Sequence, residues 1–279
     1  MTVITEPGVY TMDEADYHAD PVPGGSLSAS GARKLLASPA RFAYDREHPP
    51  EPTPAMELGT AAHRLVLGTG PELAVIDAPD WRTRAAKEAA AAAREAGAVP
   101  LLTTEHEQVQ MMAAALRNHP IAAALFDPER GDPEQSLFWT DDRTGVWMRA
   151  RLDWLPRHPP GRLIIGDYKT AISASPDGFT RDVANFGYHQ QAAFYCDGAT
   201  ALGLADNPAF LFVVQEKAAP YLVAVYELDV LAMEAGRARN RLAAEMYRDC
   251  TEAGIWPGYP AEIGLISLPP WATRTEEYA

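Results

Sequence analysis

The chain has 279 residues, enough for one large domain with a full core, and its 47% hydrophobic and 22% charged residues are typical of a soluble globular protein. No apolar run approaches the ~20 residues that span a bilayer, and we expect no secretory signal at the acidic N-terminus. The net charge of −14 argues against a protein that coats nucleic acid, although a local basic groove around an acidic site is compatible with it. Cys196 and Cys250 are the only cysteines, which excludes a four-cysteine zinc or iron–sulfur site and fits a reducing, cytoplasmic setting.

The first half of the chain is predicted to be helical after a polar arm that spans residues 1–25. Capping residues and helix formers indicate where the helices begin, and glycines or prolines indicate where they end. The predicted helices are 26–39 with Ser28 or Ser30 as cap, a second one from Ser38-Pro39, 56–68, 82–97, and one that follows a Thr104–Glu107 capping box and stops before Pro120.

The pattern changes near residue 134 to the alternation that is typical of strands. The segments 134–140 and 146–156 predict a β-hairpin. After it we expect a strand at 161–170, a loop or short helix at 175–187, a helix at 188–204, strands at 208–216 and 221–229, and a long helix at 231–254. This order predicts one α/β domain (26–279), a mixed central sheet flanked by helices, with a helical part (26–130) and a sheet core (134–254).

Two of the predicted strands bring acidic and basic side chains together. Successive side chains of a strand point to opposite faces, so Asp167 and Lys169 share one face of their strand. On the preceding strand Arg149, Arg151 and Asp153 also share a face. If the two strands pair, both carboxylates and the amine converge at one end of the sheet.

Carboxylates held close together have raised pKa values unless a cation compensates their charge. A divalent metal is the natural cation, and oxygen ligands with one imidazole suit Mg²⁺ or Mn²⁺ better than zinc. Lys169 would then stabilise the transition state of a phosphoryl displacement, and Arg149 and Arg151 would hold phosphates. A strand-end Asp near a Lys is also common in proteins as a solvated pair, so this triplet does not by itself establish catalysis.

Two helices carry further candidates. Gln191 and Tyr195 are four residues apart and lie on one helical face, whereas Gln190 points elsewhere. His63 lies in a helix rich in Ala and Leu. In isolation, a polar surface patch is the favoured interpretation of Gln191 and Tyr195, and a buried core residue is the favoured interpretation of His63.

The chain resembles the PD-(D/E)XK nuclease superfamily in four motifs and their order. The motifs are Gly59-Thr-Ala-Ala-His63, Arg-Leu-Asp153, Asp167-Tyr-Lys169 and Gln191-xxx-Tyr195. Within it the chain looks like the exonuclease VIII (RecE-type) branch, which is related to lambda exonuclease and the RecB nuclease domain. The segments SLSAS…LLASPARFAY, LFVVQEKAAPYLVAVYELD and WPGY…LPPWA also look like that branch. The resemblance extends over nearly the whole chain from about residue 10.

The resemblance implies a role for each of these residues. His63, Asp153 and Asp167 would be side-chain metal ligands, with the backbone carbonyl of Tyr168 as a further ligand. Lys169 would be the catalytic lysine. The catalytic site would consist of Asp153, Asp167, Lys169, Gln191 and Tyr195. Gln191 and Tyr195 would contact DNA or organise the metal centre.

The resemblance also implies a restriction-endonuclease-like core and hydrolysis of DNA with two Mg²⁺ or Mn²⁺ ions. The expected activity is that of an exonuclease on double-stranded ends, commonly 5′ to 3′, in recombination or repair. A single-strand annealing recombinase as partner and a ring-shaped homo-oligomer are implied as well. The chain lacks the iron–sulfur cysteines of some relatives and a Walker segment, so we expect neither an iron–sulfur cluster nor ATP.

Several alternatives stay open at this stage. The same site would serve an endonuclease or a single-strand-specific nuclease. A catalytically silent DNA-binding or scaffold relative is a further alternative, but such a relative is expected to have lost at least one of Asp153, Asp167 and Lys169. Two further sets of residues could contact DNA. The tail aromatics Trp256, Tyr259 and Trp271 could stack on bases, but we expect them to pack against the core. The basic residues Arg33, Lys34 and Arg41 could meet DNA, but we expect them to lie on a solvated helix face.

Overall fold

A mixed seven-stranded sheet forms the centre of the structure, a computed structural model that describes residues 3–48, 53–159 and 161–269. The strands are β1 (Gly8–Thr11), β2 (Leu27–Ser28), β3 (Leu73–Ile76), β4 (Val99–Leu102), β5 (Gly131–Thr140), β6 (Trp147–Pro156), β7 (Ile164–Ala171), β8 (Ala209–Glu216) and β9 (Val223–Glu227). The central sheet has the order β1-β5-β6-β7-β8-β9, with β2 beside β6, while β3 and β4 form a separate parallel pair. Within the central sheet, the β7–β8 and β2–β6 pairs are parallel and the other pairs are antiparallel.

Helices pack on both faces of this sheet. They are α1 (Glu14–His18), α2 (Ala29–Ala37), α3 (Pro39–Glu47), α4 (Pro54–Leu67), α5 (Arg84–Glu95), α6 (Thr103–Asn118), α7 (Pro120–Leu125), α8 (Pro176–Phe186), α9 (Tyr188–Ala201) and α10 (Val230–Ala253). Ser28 caps α2 and Ser38 caps α3, each by accepting a backbone N–H, and Gly68 ends α4 in the left-handed conformation.

The alternation along β8 shows how the core divides. Phe212 and Val214 join an apolar cluster with residues of α2, α9 and α10 on one face. Val213 joins a second cluster with residues of α4, α6 and α7 on the other face. The sheet is therefore buried on both sides, as predicted for a single α/β domain with a mixed sheet between helices.

The predicted hairpin is confirmed as β5 and β6, and the third strand as β7. The predicted arm, residues 1–25, contains a strand, β1, and a short helix, α1, in its described part. Ile4, Tyr17 and Val22 are buried there against Phe138, so the arm packs on the sheet. Two local predictions also differ: β3 and β4 lie within the segment expected to be helical, and α8 is a full helix of 11 residues.

The predicted capping box at Thr104 and Glu107 is wrong. The N-cap of helix α6 is Leu102, two residues before the predicted cap, and Glu105 accepts the backbone N–H of Leu102 at 2.8 Å. Leucine has no side-chain acceptor, so this is half of a capping box. Glu105 also accepts from the indole N–H of Trp81, at 3.1 Å, which fixes its carboxylate in this position.

The tail follows the prediction in part. Trp256 packs on Phe42 and Tyr247, as expected for a core contact. Tyr259 is 84% exposed, so its predicted packing is wrong. Trp271 lies outside the described residues. In the described part of the chain, every helix is too short or too polar to cross a membrane.

Candidate metal centre

The two acidic residues of the predicted pair lie where β6 and β7 diverge. Trp154 pairs with Gly166, and this register brings Asp153 opposite Asp167. The ladder does not continue beyond this pair. Instead, the backbone N–H of Tyr168 donates to Oδ2 of Asp153 at 2.7 Å. A side-chain carboxylate therefore replaces the backbone acceptor, and both acids lie at the opening between the strands.

Asp167 is 1% exposed, although it is an ionisable residue. The side-chain amide of Gln191 donates to its Oδ1 at 2.7 Å, and Nζ of Lys169 lies 2.6 Å from its Oδ2. The latter contact lacks hydrogen-bond geometry, so Oδ2 is a buried carboxylate oxygen without a hydrogen bond. Burial raises the pKa of Asp167 to about 6, against the opposing effect of Lys169, and the nearby charge of Asp153 raises it further.

Lys169 lies beside Asp167 and over a ring. Burial lowers the pKa of its amine, but the charges of Asp167 and Asp153 outweigh burial and raise the pKa above its usual value. The ammonium lies 5.2 Å from the centre of the Tyr188 ring, within reach of a cation–π contact. Lys169 is therefore a stable cation in this site, and it shares a face of β7 with Asp167 as the sequence predicts.

His63 reaches the same place from α4. Its Nε2 lies 2.8 Å from the carbonyl oxygen of Tyr168, and its Nδ1 lies 3.7 Å from Oδ2 of Asp153. Gly59, one turn earlier, faces Thr170, which places α4 against β7. The imidazole is thus near both Asp153 and the carbonyl of Tyr168.

Tyr195 is on α9, one turn after Gln191. Its ring packs against Phe210 with the centroids 5.8 Å apart. Burial raises the pKa of its hydroxyl well above the usual range, so the hydroxyl stays protonated. Gln191 and Tyr195 both line a cleft that includes Lys169 and Asp153.

Glu134 is a site residue that the sequence analysis missed. One of its carboxylate oxygens lies with ligand atoms of His63 and Asp153 in a group whose members are all within 4.8 Å of one another. Burial, and then the charge of Asp153, raise its pKa to about 7, although Arg151 opposes this. The predicted hairpin contained the signal, because its register places residue 134 opposite residue 153.

The two predicted phosphate-binding arginines are engaged by the chain itself. Arg149 is 13% exposed and contacts Asp20 at 2.5 Å and the backbone carbonyl of Ser26 at 3.0 Å. Arg151 is 14% exposed, and its Nε lies 2.6 Å from Oε2 of Glu134. Both guanidinium groups also lie over the ring of Tyr17. Arg151, unlike Arg149, lines the cleft at the site.

Two clefts meet at Asp153 and Lys169. One, of about 510 Å³, includes His63, Tyr168 and Thr170, and the other, of about 420 Å³, includes Ser28, Arg33 and Gln191. Asp153, Lys169 and Tyr188 line both clefts. Arg33 is therefore near the site, whereas Lys34 pairs with Asp45 at 3.3 Å and Arg41 is exposed on α3.

The donor set fits a hard divalent cation. It consists of carboxylate oxygens of Asp153 and Asp167, the carbonyl of Tyr168 and one imidazole, His63. The buried Oδ2 of Asp167, without a hydrogen bond, is an acceptor that such an ion would satisfy. Oxygen-rich ligation of this kind suits Mg²⁺ or Mn²⁺.

The fold and this arrangement of residues define a PD-(D/E)XK-type domain. The chain belongs to the family described as PDDEXK-like domain of unknown function (DUF3799), whose model matches residues 28–268. No curated protein matches the sequence.

A solved structure shows the same fold at low identity. The crystal structure of a protein from Eubacterium rectale, described as a "Putative exonuclease", superposes with a TM-score of 0.59 at 11% identity, over 93% of this chain and 96% of that chain. A second structure, SSO0001, has 14% identity over 73% of this chain and 87% of that chain, but its TM-score of 0.32 is too low to bear on the fold.

Proposed function

We propose that this protein is a divalent-metal-dependent deoxyribonuclease that acts as an exonuclease on double-stranded DNA ends. The proposal rests mainly on the buried Asp167, which lies opposite Asp153 on the neighbouring strand and contacts Lys169. The family to which the chain belongs and the exonuclease description of its fold neighbour support the same class of activity.

A bound divalent ion supplies positive charge against a phosphate and lowers the pKa of a coordinated water. His63, Asp153, Asp167 and the carbonyl of Tyr168 are the residues that would hold it. Gln191 keeps the Asp167 carboxylate in one orientation through its 2.7 Å hydrogen bond.

Lys169 is the cation that the chain itself provides at the reacting phosphate. Its ammonium is held between the Asp167 carboxylate and the ring of Tyr188. From this position it stabilises the negative charge that develops on the phosphate in the transition state. Because its pKa is raised, it keeps its charge at neutral pH.

The DNA strand is proposed to follow the two clefts that meet at Asp153 and Lys169. A backbone that enters from the 510 Å³ cleft and leaves by the 420 Å³ cleft passes directly over both residues. Arg151, Gln191 and Tyr195 line the second cleft and are proposed to contact the strand. These groups supply a local basic and polar track on a chain whose net charge is −14.

The finer expectations from the family resemblance stay predictions. They include two ions of Mg²⁺ or Mn²⁺, DNA contact by Arg149, a role in recombination or repair, a single-strand annealing recombinase as partner, a ring-shaped oligomer and a cytoplasmic location. The same site in an endonuclease or in a single-strand-specific nuclease would give a different product pattern, so substrate choice separates these activities.

The test compares a labelled linear duplex, a closed circular duplex and a single strand, each with Mg²⁺ or with a chelator. We expect degradation of the linear duplex only, and only with Mg²⁺. Asp167→Ala and Lys169→Ala are expected to abolish cleavage while DNA binding is retained. Matched controls are Asp132→Asn, whose carboxylate pairs with Arg157 at the surface, and Lys87→Ala on the exposed face of α5.

Each contrary result has a definite meaning. Cleavage of the closed circle indicates an endonuclease. Binding of DNA without any chelator-sensitive product indicates a scaffold protein. Cleavage by Asp167→Ala or Lys169→Ala at a rate near that of the wild type contradicts the assigned site.

A further inference from the structure

Glu134 lies in a row of three carboxylates that crosses three adjacent strands. Pro133 pairs with Trp154 and Gln135 with Leu152, which leaves Glu134 opposite Asp153. Asp153 is in turn opposite Asp167 on the next strand. Asp153 is thus the middle member, with Glu134 on the β5 side and Asp167 on the β7 side.

The backbone at Glu134 departs from the extended geometry of a strand. Its φ of 55° is in the left-handed region, which residues with a β-carbon rarely adopt. The residues on either side of it keep their pairing with β6. The interruption is therefore confined to this residue, and a carboxylate oxygen of Glu134 lies within 4.8 Å of ligand atoms of Asp153 and His63.

This row carries more negative than positive charge. At one end, the buried Oδ2 of Asp167 contacts the ammonium of Lys169 but makes no hydrogen bond. At the other end, the guanidinium of Arg151 lies 2.6 Å from Glu134, but it also donates to the backbone carbonyl of Met12 at 3.0 Å. Arg151 and Lys169 are the cations in contact with the row in the described residues, so three carboxylates are balanced by two cations.

We propose that Glu134 is a further side-chain ligand of the metal centre and that it binds a divalent cation together with Asp153 and His63. Asp153 would then lie between this ion position and the one formed with Asp167. Arg151 is the counter-ion that pairs with Glu134 in the metal-free protein and gives way when the cation binds. This inference rests on the proposed metal centre but concerns a residue that the centre does not require.

The test is a Mn²⁺ titration of the full chain, stripped of metal by a chelator, in which free Mn²⁺ is followed by electron paramagnetic resonance. Glu134→Gln removes the charge and keeps the shape, and it is expected to weaken Mn²⁺ binding at least tenfold. The matched control is Asp132→Asn, because Asp132 is on the same strand and pairs with Arg157 at 2.9 Å in the same manner. This control is expected to bind Mn²⁺ as the wild type does.

A second variant separates a ligand from a residue that only positions Arg151. If Glu134 acts through Arg151, then Arg151→Gln weakens Mn²⁺ binding as Glu134→Gln does. If Glu134 is a ligand, Arg151→Gln frees its carboxylate, and Mn²⁺ binds at least as tightly as in the wild type. This result remains informative even if Glu134→Gln folds poorly, which thermal unfolding reveals.

The outcomes distinguish this inference from the proposed function. Wild-type affinity in Glu134→Gln, together with lost binding in Asp167→Asn, overturns the role of Glu134 and leaves the metal centre in place. Weakened binding in Arg151→Gln overturns the role of Glu134 as well. If the wild type binds no Mn²⁺, both the inference and the proposed metal dependence are wrong.

Discussion

Tyr168 donates its backbone N–H to the carboxylate of Asp153 at 2.7 Å, at the point where their two strands cease to pair. Its carbonyl oxygen lies 2.8 Å from His63. Its side chain is buried on the other face of the sheet, where the hydroxyl donates to Gln215 at 2.6 Å. One residue thus links β6, β7, helix α4 and the core, so the fold sets the spacing of the donor atoms.

The hydrogen bond from the Tyr168 hydroxyl to Gln215 gives a first prediction. Tyr168→Phe leaves the buried Oε1 of Gln215 without its hydroxyl partner and is expected to lower the free energy of unfolding by about 1–3 kcal/mol. Mn²⁺ affinity is expected to stay unchanged, because the backbone carbonyl is held by the pairing of β7 with β8. Urea unfolding and a Mn²⁺ titration check the two parts. Tyr44→Phe, at an exposed ring, is the control, and equal stability of both variants contradicts the prediction.

The pKa of Asp167 gives a pH-dependent prediction. Burial raises this pKa from 3.8 to about 6 in the folded chain. A raised carboxyl pKa means that the folded state binds more protons than the unfolded state between these values, so stability is present below about pH 4 and is lost as the pH rises through 6. The loss from this group is about 3 kcal/mol for the metal-free protein.

Asp167→Asn removes this titration, so the variant should gain that amount relative to the wild type between pH 4 and pH 7.5. Urea unfolding of both proteins at the two pH values, in the presence of a chelator, measures the difference. Asp132→Asn should follow the wild type, because Asp132 is exposed. Parallel pH dependences of Asp167→Asn and the wild type would falsify the burial effect.

A bound divalent cation should offset the loss of stability that the ionised Asp167 causes in the metal-free protein. A cation that binds the folded state at a concentration of about 100 times its Kd stabilises it by about 2.7 kcal/mol. We therefore expect Mn²⁺ to raise the Tm of the wild type and of Asp132→Asn, but not of Asp153→Asn or Asp167→Asn. Thermal unfolding with increasing MnCl₂ measures the effect. An equal rise in all four proteins indicates that the ion binds elsewhere.

Much of the fold was predictable because its signals are local. The alternation in β6, the serine caps of α2 and α3 and the glycine end of α4 depend on neighbouring residues, and each was confirmed. The sequence made the meeting of Asp153 and Asp167 conditional on the pairing of β6 with β7, and the structure has this pairing. The short strands β3 and β4 were not predicted, because four residues each are too few to show the alternation of apolar and polar residues that is typical of a strand.

The remaining parts of the site depend on contacts between distant segments. The hairpin register places Glu134 opposite Asp153, but no residue type in Pro133-Glu134-Gln135 indicates the left-handed backbone at Glu134 or the nearness of His63. Arg149 pairs with Asp20 because the arm folds onto the sheet, which is a contact between segments far apart in the sequence. Distant packing of this kind leaves no periodic pattern in the sequence.

Gln191 gives the last prediction, because its amide holds one oxygen of the buried Asp167 at 2.7 Å. Gln191→Leu removes that hydrogen bond and leaves the carboxylate free to turn, which should lower metal affinity about 10- to 100-fold. The rate of cleavage should then need more Mg²⁺ to reach its maximum, and high Mg²⁺ should restore much of it. Cleavage rates over a range of Mg²⁺ concentrations measure this shift. Thr200→Val, on the exposed face of the same helix, should keep the wild-type Mg²⁺ dependence. A change in the KM for DNA at unchanged Mg²⁺ dependence would instead show that Gln191 acts on the strand alone.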